Sequence, residues 1–491
     1  MNRLLFVAKL YQIKRIHHSL LIAFFLWLAP AMNVCAQNKD VNIIIHLRGV
    51  YESKISFLAL SVSKTFKPII EIPAIKNGET TKLTVTKDHL PGEFVLRFDY
   101  KEKETSAPYP SEKYIFINDQ ELELWVRPEY CNNADSTYFQ KSEKENSTYA
   151  EFSKENGRQK EKLALLQNFL MNYDDTESKF FKQGIKEYER RRQTYNDWLK
   201  NIIQKDKALF VSNLYHFQYV PGNSWKGNEH DRILNLIAHY FDGMDFNHPS
   251  IIKTSELNKW MDHYVNLYGQ LSVTPILRDS LFPLAGRTAI ERARKGDPQV
   301  YGWMVDYFYK GYESNGISAG TKILEPYMND PNCLTTKRQE INRRLKGIGT
   351  LVKGSLVPEI SMKDNQGNAF ELNQLSADKK YILLLFWSAG CSHCMELVND
   401  LYPWYQQNEI GKKMNVVAIS LDESEGEVKA WGQKAPELKG WVHLCAPEGI
   451  RSKVAGDYYI LSTPVMVLLD SKTRKIVSLP NTFKELKSLL D

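Results

Sequence analysis

The sequence predicts a multidomain chain: an N-terminal β-sandwich-like domain, a mostly α-helical middle and a C-terminal α/β domain. Three observations carry this. The chain has 491 residues, and at roughly 150 residues per domain that is about three domains. Residues 40–130 alternate apolar and polar with turn signals between, whereas the next two hundred residues are rich in helix formers. The last 140 residues alternate continuous apolar runs with helical stretches. Apolar residues make up 43% and charged residues 25%, average globular values that exclude wholesale disorder and a fibrous chain. The net charge of +6 is too small an excess to argue for nucleic acid.

Residues 1–36 read as a signal peptide. They hold Arg3, Lys9, Lys14 and Arg15 and no acid, so the rest of the chain carries only +2. The apolar run Leu20–Met32 is 13 residues, short of the ~20 needed to span a bilayer. Val34-Cys35-Ala36 puts small residues before a cleavage site after Ala36. An uncleaved anchor is the alternative, and Met32-Asn33-Val34 is a poor lipobox for acylation at Cys35. No later apolar run approaches 18 residues, so the mature chain is expected not to span a membrane and to work in the periplasm or cell envelope.

In residues 37–135, Ile43, Ile45 and Leu47 alternate with polar residues, as do Phe94, Leu96, Phe98 and Tyr100. Asn77-Gly78 and Pro91-Gly92 are turn signals. Tyr114–Ile117 and Leu122–Val126 are expected to pair around Asn118-Asp119. Strands at about ten-residue spacing suggest a small sandwich. Over residues 136–345 no proline lies before Pro221, and Lys, Glu, Gln, Arg and Leu dominate. Leu163, Leu166 and Leu170 share one helical face. The run Tyr188–Trp198, with Arg190, Arg191 and Arg192, reads as a solvated helix face opposite an apolar stripe rather than a nucleic-acid patch. Gly347–Val357 reads as a linker into residues 346–491.

The chemistry is expected in that last part. Tyr381–Trp387 is a continuous apolar run, suited to a strand buried on both faces. Ser388-Ala389-Gly390 turn into Cys391-Ser392-His393-Cys394 and a helix through about Gln407. Met414–Leu421 and Val465–Leu469 are further strands, the latter paired with Lys475–Val477. Helices are expected over Ser424–Lys434 and, from the capping box Thr482-x-x-Glu485, to Leu490. Cys391 sits at a helix N-terminus, where unpaired N–H groups and the helix dipole favour a thiolate. Cys394 lies one turn on, on the same face, so it can attack a mixed disulfide formed at Cys391. His393, with Ser392, lies between them and can tune the thiolate; Trp387 is core, a wall of the site, or both.

Residues 351–491 thus resemble the thioredoxin superfamily, in its exported TlpA-like and redoxin-like branch. The resemblance rests on Phe386-Trp387-Ser388-Ala389-Gly390-Cys391-Ser392-His393-Cys394, on Thr463-Pro464 before a strand, on Val357-Pro358-Glu359-Ile360 and on a hairpin at Asp364-Asn365-Gln366-Gly367. It implies a cis Pro464 beside the cysteines, with the Thr463 backbone pairing with a bound substrate. It implies a thiol–disulfide oxidoreductase whose partners are protein thiols and disulfides, with no cofactor. Since the mature chain is expected to have no membrane span, any link to cytoplasmic reductant is expected through another membrane protein, a thiol-electron donor. The two upstream parts resemble, in texture and order, accessory regions of exported proteins of this kind. Two departures stand out. Leu385 occupies the position of thioredoxin's buried acid, so proton transfer from Cys394 needs another group or water. The Ser-His pair replaces Gly-Pro, so the direction of electron flow stays open.

Two other functions are weighed. A redoxin-type peroxidase needs a Pro and Thr framing its cysteine, where this chain has Ser388-Ala389-Gly390. A binding protein would use the fold only as scaffold. Zinc at the Cys391–Cys394 pair needs four ligands, and the spacing of His443 and Cys445 does not supply the other two. Five cysteines remain after Ala36, so at least one thiol has no partner within the mature chain. Cys131 and Cys333 are open to pairing, and Cys445 reads as a small buried residue.

Overall fold

The structure is a computed structural model that describes residues 39–60, 66–225, 227–407 and 410–490. The expected signal peptide lies outside the described residues. No helix among the described residues is long and apolar enough to cross a membrane. The chain divides into two compact units, Met1–Met244 with Ser250–Met261, and Asp245–Pro249 with Asp262–Asp491.

The first unit opens with a β-sandwich. Its strands are β1 (Val41–Leu47), β2 (Glu52–Leu60), β3 (Phe66–Lys76), β4 (Thr80–Val85), β5 (Gly92–Lys101), β6 (Tyr109–Ile117), β7 (Leu122–Val126) and β8 (Tyr138–Phe139). They form two four-stranded sheets, β4-β1-β7-β8 and β3-β2-β5-β6. The alternation is the cause: Ile43, Ile45 and Leu47 of one sheet and Phe94, Leu96 and Phe98 of the other enter one core. Each such side chain, fully buried, contributes about 1.5–3 kcal/mol. The Asn77-Gly78 turn joins β3 to β4, with Gly78 at φ 83, a conformation glycine adopts without strain.

The expected pairing of Tyr114–Ile117 with Leu122–Val126 does not form. β6 pairs with β5 in one sheet, and β7 runs parallel to β1 in the other. Alternation fixes which face is buried, not which strand is the neighbour. Ile115, Ile117, Leu122 and Leu124 reach the same core whether the chain turns back or crosses over.

Helices α1 (Glu145–Asn172), α2 (Lys179–Lys205) and α3 (Glu229–His239) complete this unit, and α4 (Ser255–Leu271) contains the division between units. Phe152 of α1 stacks on Tyr215, ring centroids 3.7 Å apart. The basic run on α2 is a charged face: Arg190 and Arg191 pair with Glu187 at 2.8 and 2.6 Å, and Arg192 with Glu189 at 2.8 Å. Tyr188, Tyr195 and Leu199 are buried on the opposite stripe.

In the second unit α5 (Pro275–Ala293), α6 (Pro298–Ser314), the short α7 (Ser318–Lys322) and α8 (Glu325–Met328), and α9 (Arg338–Thr350) precede the α/β region. The expected linker from Gly347 is instead helical to Thr350. Gly347 is buried, and a Cβ there would lie 2.7 Å from Tyr459 Cβ. The glycine marks close packing, not looseness.

The hairpin β9 (Ser361–Lys363) and β10 (Ala369–Glu371) turns at Asp364, whose carboxylate accepts from Gln366 N and Asn368 N, both at 2.8 Å. A five-stranded sheet follows, ordered β13-β12-β11-β14-β15. Its strands are β11 (Tyr381–Trp387), β12 (Met414–Ser420), β13 (Val442–Cys445), β14 (Val465–Asp470) and β15 (Ile476–Ser478). Helices α10 (Ser392–Gln407), α11 (Ile410–Lys413), α12 (Glu425–Lys434), α13 (Lys453–Asp457) and α14 (Phe483–Leu490) accompany it. The continuous apolar run has the expected reason. Ile382, Leu384 and Phe386 fill one core, while Leu383, Leu385 and Trp387 fill another with α10 and α14. The last helix starts as its capping residues direct, Glu485 N donating to Thr482 Oγ1 at 3.2 Å.

Candidate functional site

β11, β12 and β13 run parallel, with Trp387 opposite Ser420 and Ser420 opposite Cys445. Their carboxyl ends therefore meet at one edge of the sheet, where α/β proteins of this construction hold their ligands. Ser388-Ala389-Gly390 turn the chain out of β11, and α10 starts at Ser392.

Cys391 is half-buried and Cys394 fully buried; both are free thiols. Cys394 N donates to Cys391 Sγ at 3.3 Å. An N–H that a helix start leaves without an intrahelical acceptor thus points at the sulfur. Cys391 Sγ lies 3.8 Å from Thr463 O, and Thr463-Pro464 is cis. Burial pushes the Cys394 thiol up, and its contact with Cys391 adds to the shift. The pair is therefore unequal: one sulfur reaches solvent and receives an N–H, while the other is enclosed and holds its proton.

The remaining motif residues divide. Trp387 is fully buried in the core that holds Cys394, and its Nε1 has no partner among the described residues. His393 lies 3.5 Å from Glu396, with its side chain 81% exposed. It faces solvent, paired with that acid on the first turn of α10. Ser392 is exposed beside it.

A residue that the motif did not reveal holds the turn. Asp422, two residues beyond β12, is 1% exposed. Its carboxylate accepts from Ala389 N at 3.0 Å, Gly390 N at 3.4 Å and Ser420 Oγ at 2.7 Å, and from Ser388 Oγ. The buried charge is thereby satisfied by four donors, three of them in the turn that presents Cys391. Leu385, at the position of thioredoxin's buried acid, is fully buried core. Asp422 is thus a buried carboxylate hydrogen-bonded to the motif from the neighbouring strand. The available signal was Ser420-Leu421-Asp422 at the end of an apolar run, legible only once β12 is known to lie beside β11.

Cys445 Sγ lies 3.8 Å from Ser420 Oγ; burial, and then the charge of Asp422, push its thiol up. His443 Nε2 is 3.0 Å from Leu438 O. Among the described residues no group of three or more His, Cys, Asp or Glu could hold a metal ion. Cys131 is buried in the sandwich core and Cys333 is buried in the second unit; both are free thiols.

Residues 378–476 match a family described as thioredoxin-like. No curated protein matches the chain. Among solved structures, the chain is similar to a thioredoxin-like protein from Bacteroides caccae, at 22% identity and TM-score 0.37, covering 54% of this chain and 94% of that one. It is similar to the thioredoxin domain of a thiol-disulfide oxidoreductase from Bacteroides vulgatus, at 26% identity and TM-score 0.25, over 29% of this chain and 99% of that one. A thiol-disulfide oxidoreductase from Bacteroides fragilis gives 25% identity and TM-score 0.24, over 28% and 97%. The family match and the strand order establish a thioredoxin-like fold for the C-terminal region.

Proposed function

We propose that this chain is an exported thiol–disulfide oxidoreductase acting on protein substrates. The observation that carries the reading is the unequal pair: a half-buried Cys391 sulfur that receives the Cys394 N–H at 3.3 Å, above an enclosed Cys394. In the reductive direction the Cys391 thiolate attacks one sulfur of a substrate disulfide. The substrate S–S bond breaks, its other sulfur leaves as a thiolate, and a mixed disulfide forms. Cys394 then loses its proton and attacks Cys391 Sγ. The Cys391–substrate bond breaks, the second substrate thiolate leaves, and the Cys391–Cys394 disulfide holds the two-electron oxidation. The reverse sequence makes the protein a disulfide donor. Thr463, beside Cys391, orients the substrate backbone, and Asp422 keeps the turn in place.

The pair returns to its starting state by exchange with another dithiol or disulfide. In this reading residues 1–36 direct export to the periplasm or envelope, and a membrane thiol donor supplies electrons. Fractionating cells and sequencing the mature N-terminus tests the export part; a start at Gln37 in the envelope fraction is expected.

The chemistry is tested by two variants assayed on a protein disulfide. Cys391→Ser is expected to reduce turnover to the uncatalysed rate. Cys394→Ser is expected to stop after the first step and accumulate a mixed disulfide through Cys391. Because burial raises the Cys394 thiol, breakdown of that adduct in the unaltered protein should go on accelerating as pH rises beyond the ordinary thiol range near 8.5, where an unperturbed thiol would level off. Turnover by Cys391→Ser equal to that of the unaltered chain would overturn the reading.

A further inference from the structure

The second unit contains a cleft of about 430 Å³ next to Pro464. Ser462, Pro464 and Leu479 line it from the thioredoxin-like fold, Glu313 and Arg344 from the helices that precede that fold, and Lys353 from the first residues of the fold itself. Two observations make it a built feature. Gly347 lets α9 approach Tyr459 to a distance no other residue allows, and Tyr459 itself sits at φ 53, a left-handed conformation uncommon outside glycine. Leu351, one residue past α9, enters the thioredoxin-like core. The helix is thus fixed against the loop that leads to Thr463, whose carbonyl lies 3.8 Å from Cys391 Sγ.

The charges lining the cleft are unbalanced. Glu313 accepts from Arg344 Nε at 3.2 Å and from Thr321 Oγ1 at 2.9 Å. It is satisfied, and among the described residues the terminal guanidinium nitrogens of Arg344 have no hydrogen-bond partner. Lys353 is exposed and has no acidic partner among the described residues. The rim also carries exposed apolar side chains, Val352 at 43% and Leu479 at 38%. The cleft thus offers cationic donors and an apolar margin, and its acid is already taken.

The geometry points to a substrate-selecting cleft. It takes the extended polypeptide flanking a partner protein's reactive cysteine, and it favours segments with acidic and apolar residues near that cysteine. This deepens the oxidoreductase reading and rests on it: α9 and the end of α6, outside the thioredoxin-like fold, would choose the partner that Cys391 attacks.

The test uses the full chain with Cys394→Ser and two peptides, each with one cysteine activated as a 2-thiopyridyl disulfide. The peptides differ only in carrying aspartates or lysines around the cysteine. Cys391 attacks the peptide sulfur, the bond to the pyridyl sulfur breaks, and thiopyridone is released and counted. The aspartate peptide is expected to react about threefold faster per productive charge contact, the size of an exposed ion pair, with the ratio shrinking at high salt. Adding Lys353→Glu should move the ratio towards the lysine peptide. Equal rates for the two peptides, or a preference that Lys353→Glu leaves unchanged, would overturn the proposal. Separately, the unaltered chain should reduce a protein disulfide with dithiothreitol as the reductant, whatever the charge around that disulfide. Failure there defeats the oxidoreductase reading and the cleft proposal with it, whereas success there with equal peptide rates defeats the cleft alone.

Discussion

The sandwich and the thioredoxin-like region each bury an acid, and the two acids are used differently. Glu93, at the start of β5, is 5% exposed and accepts from Ser255 N at 2.5 Å and Ser255 Oγ at 3.1 Å. It fastens a strand to the start of a helix. Asp422 accepts from a turn that ends in a cysteine. Burial raises the Glu93 carboxyl, a cost the sandwich bears for a tie between two elements. The difference follows from sheet construction. The sandwich, antiparallel but for the pairing of β1 with β7, joins most of its strand ends by turns, whereas β11, β12 and β13 leave three carboxyl ends side by side, and polar side chains gathered there can act on a substrate.

Breaking the second tie should have the largest effect. Asp422→Ala leaves Ser388 Oγ, Ser420 Oγ and Ala389 N without their acceptor, while Gly390 N keeps Ser388 Oγ at 3.1 Å. At about 1–3 kcal/mol per group left unsatisfied, a loss of several kcal/mol in denaturant unfolding is expected. Asp422→Asn retains the shape and should separate stability from function, with disulfide exchange slowed more than stability is lowered. An Asp422→Asn variant with unaltered exchange kinetics would reduce Asp422 to a structural tie like Glu93.

Gly347→Ala comes next. The added methyl meets Tyr459 Cβ at 2.7 Å, and overpacking of this kind costs about 1–3 kcal/mol. A lowered midpoint in urea with an unchanged slope is the expected result; no change in midpoint would mean that α9 and Tyr459 are not in firm contact.

The smallest effect belongs to Glu93→Gln, and it is sharpest as a pH dependence. The folded-state pKa of Glu93 is raised, so its stabilising contribution is present in full below the unfolded value and is lost as pH rises through the folded one. Glu93→Gln removes that dependence. The stability of the variant relative to the unaltered chain should therefore increase from pH 4 to pH 7, measured by unfolding at each pH.

The same contrast explains what could be read from the sequence. Period-two alternation identified the sandwich and its core residues, but not that β6 and β7 lie in different sheets, because both arrangements bury the same side chains. The run Tyr381–Trp387 and the Cys-Ser-His-Cys turn identified the α/β region and its cysteines, because their signal is local. Asp422 was hidden: it is 31 residues from Cys391 in sequence, and only the parallel pairing of β11 with β12 brings it to the turn. His393 carried a tuning expectation from its place between the cysteines, yet a helix start turns its ring outward to Glu396. Gly347 misled, since a glycine that permits close packing and one that loosens a linker are spelled alike.

The central claim is that Cys391 and Cys394 act as one redox couple. Its most direct test is to equilibrate the full chain across glutathione and dithiothreitol buffers and count the thiols that survive, with Cys394→Ser in parallel. The account predicts a single two-electron transition, between roughly −270 and −120 mV on the scale of known thiol oxidoreductases, that disappears in Cys394→Ser. Two thiols that oxidise independently, or a transition that survives the substitution, would contradict it.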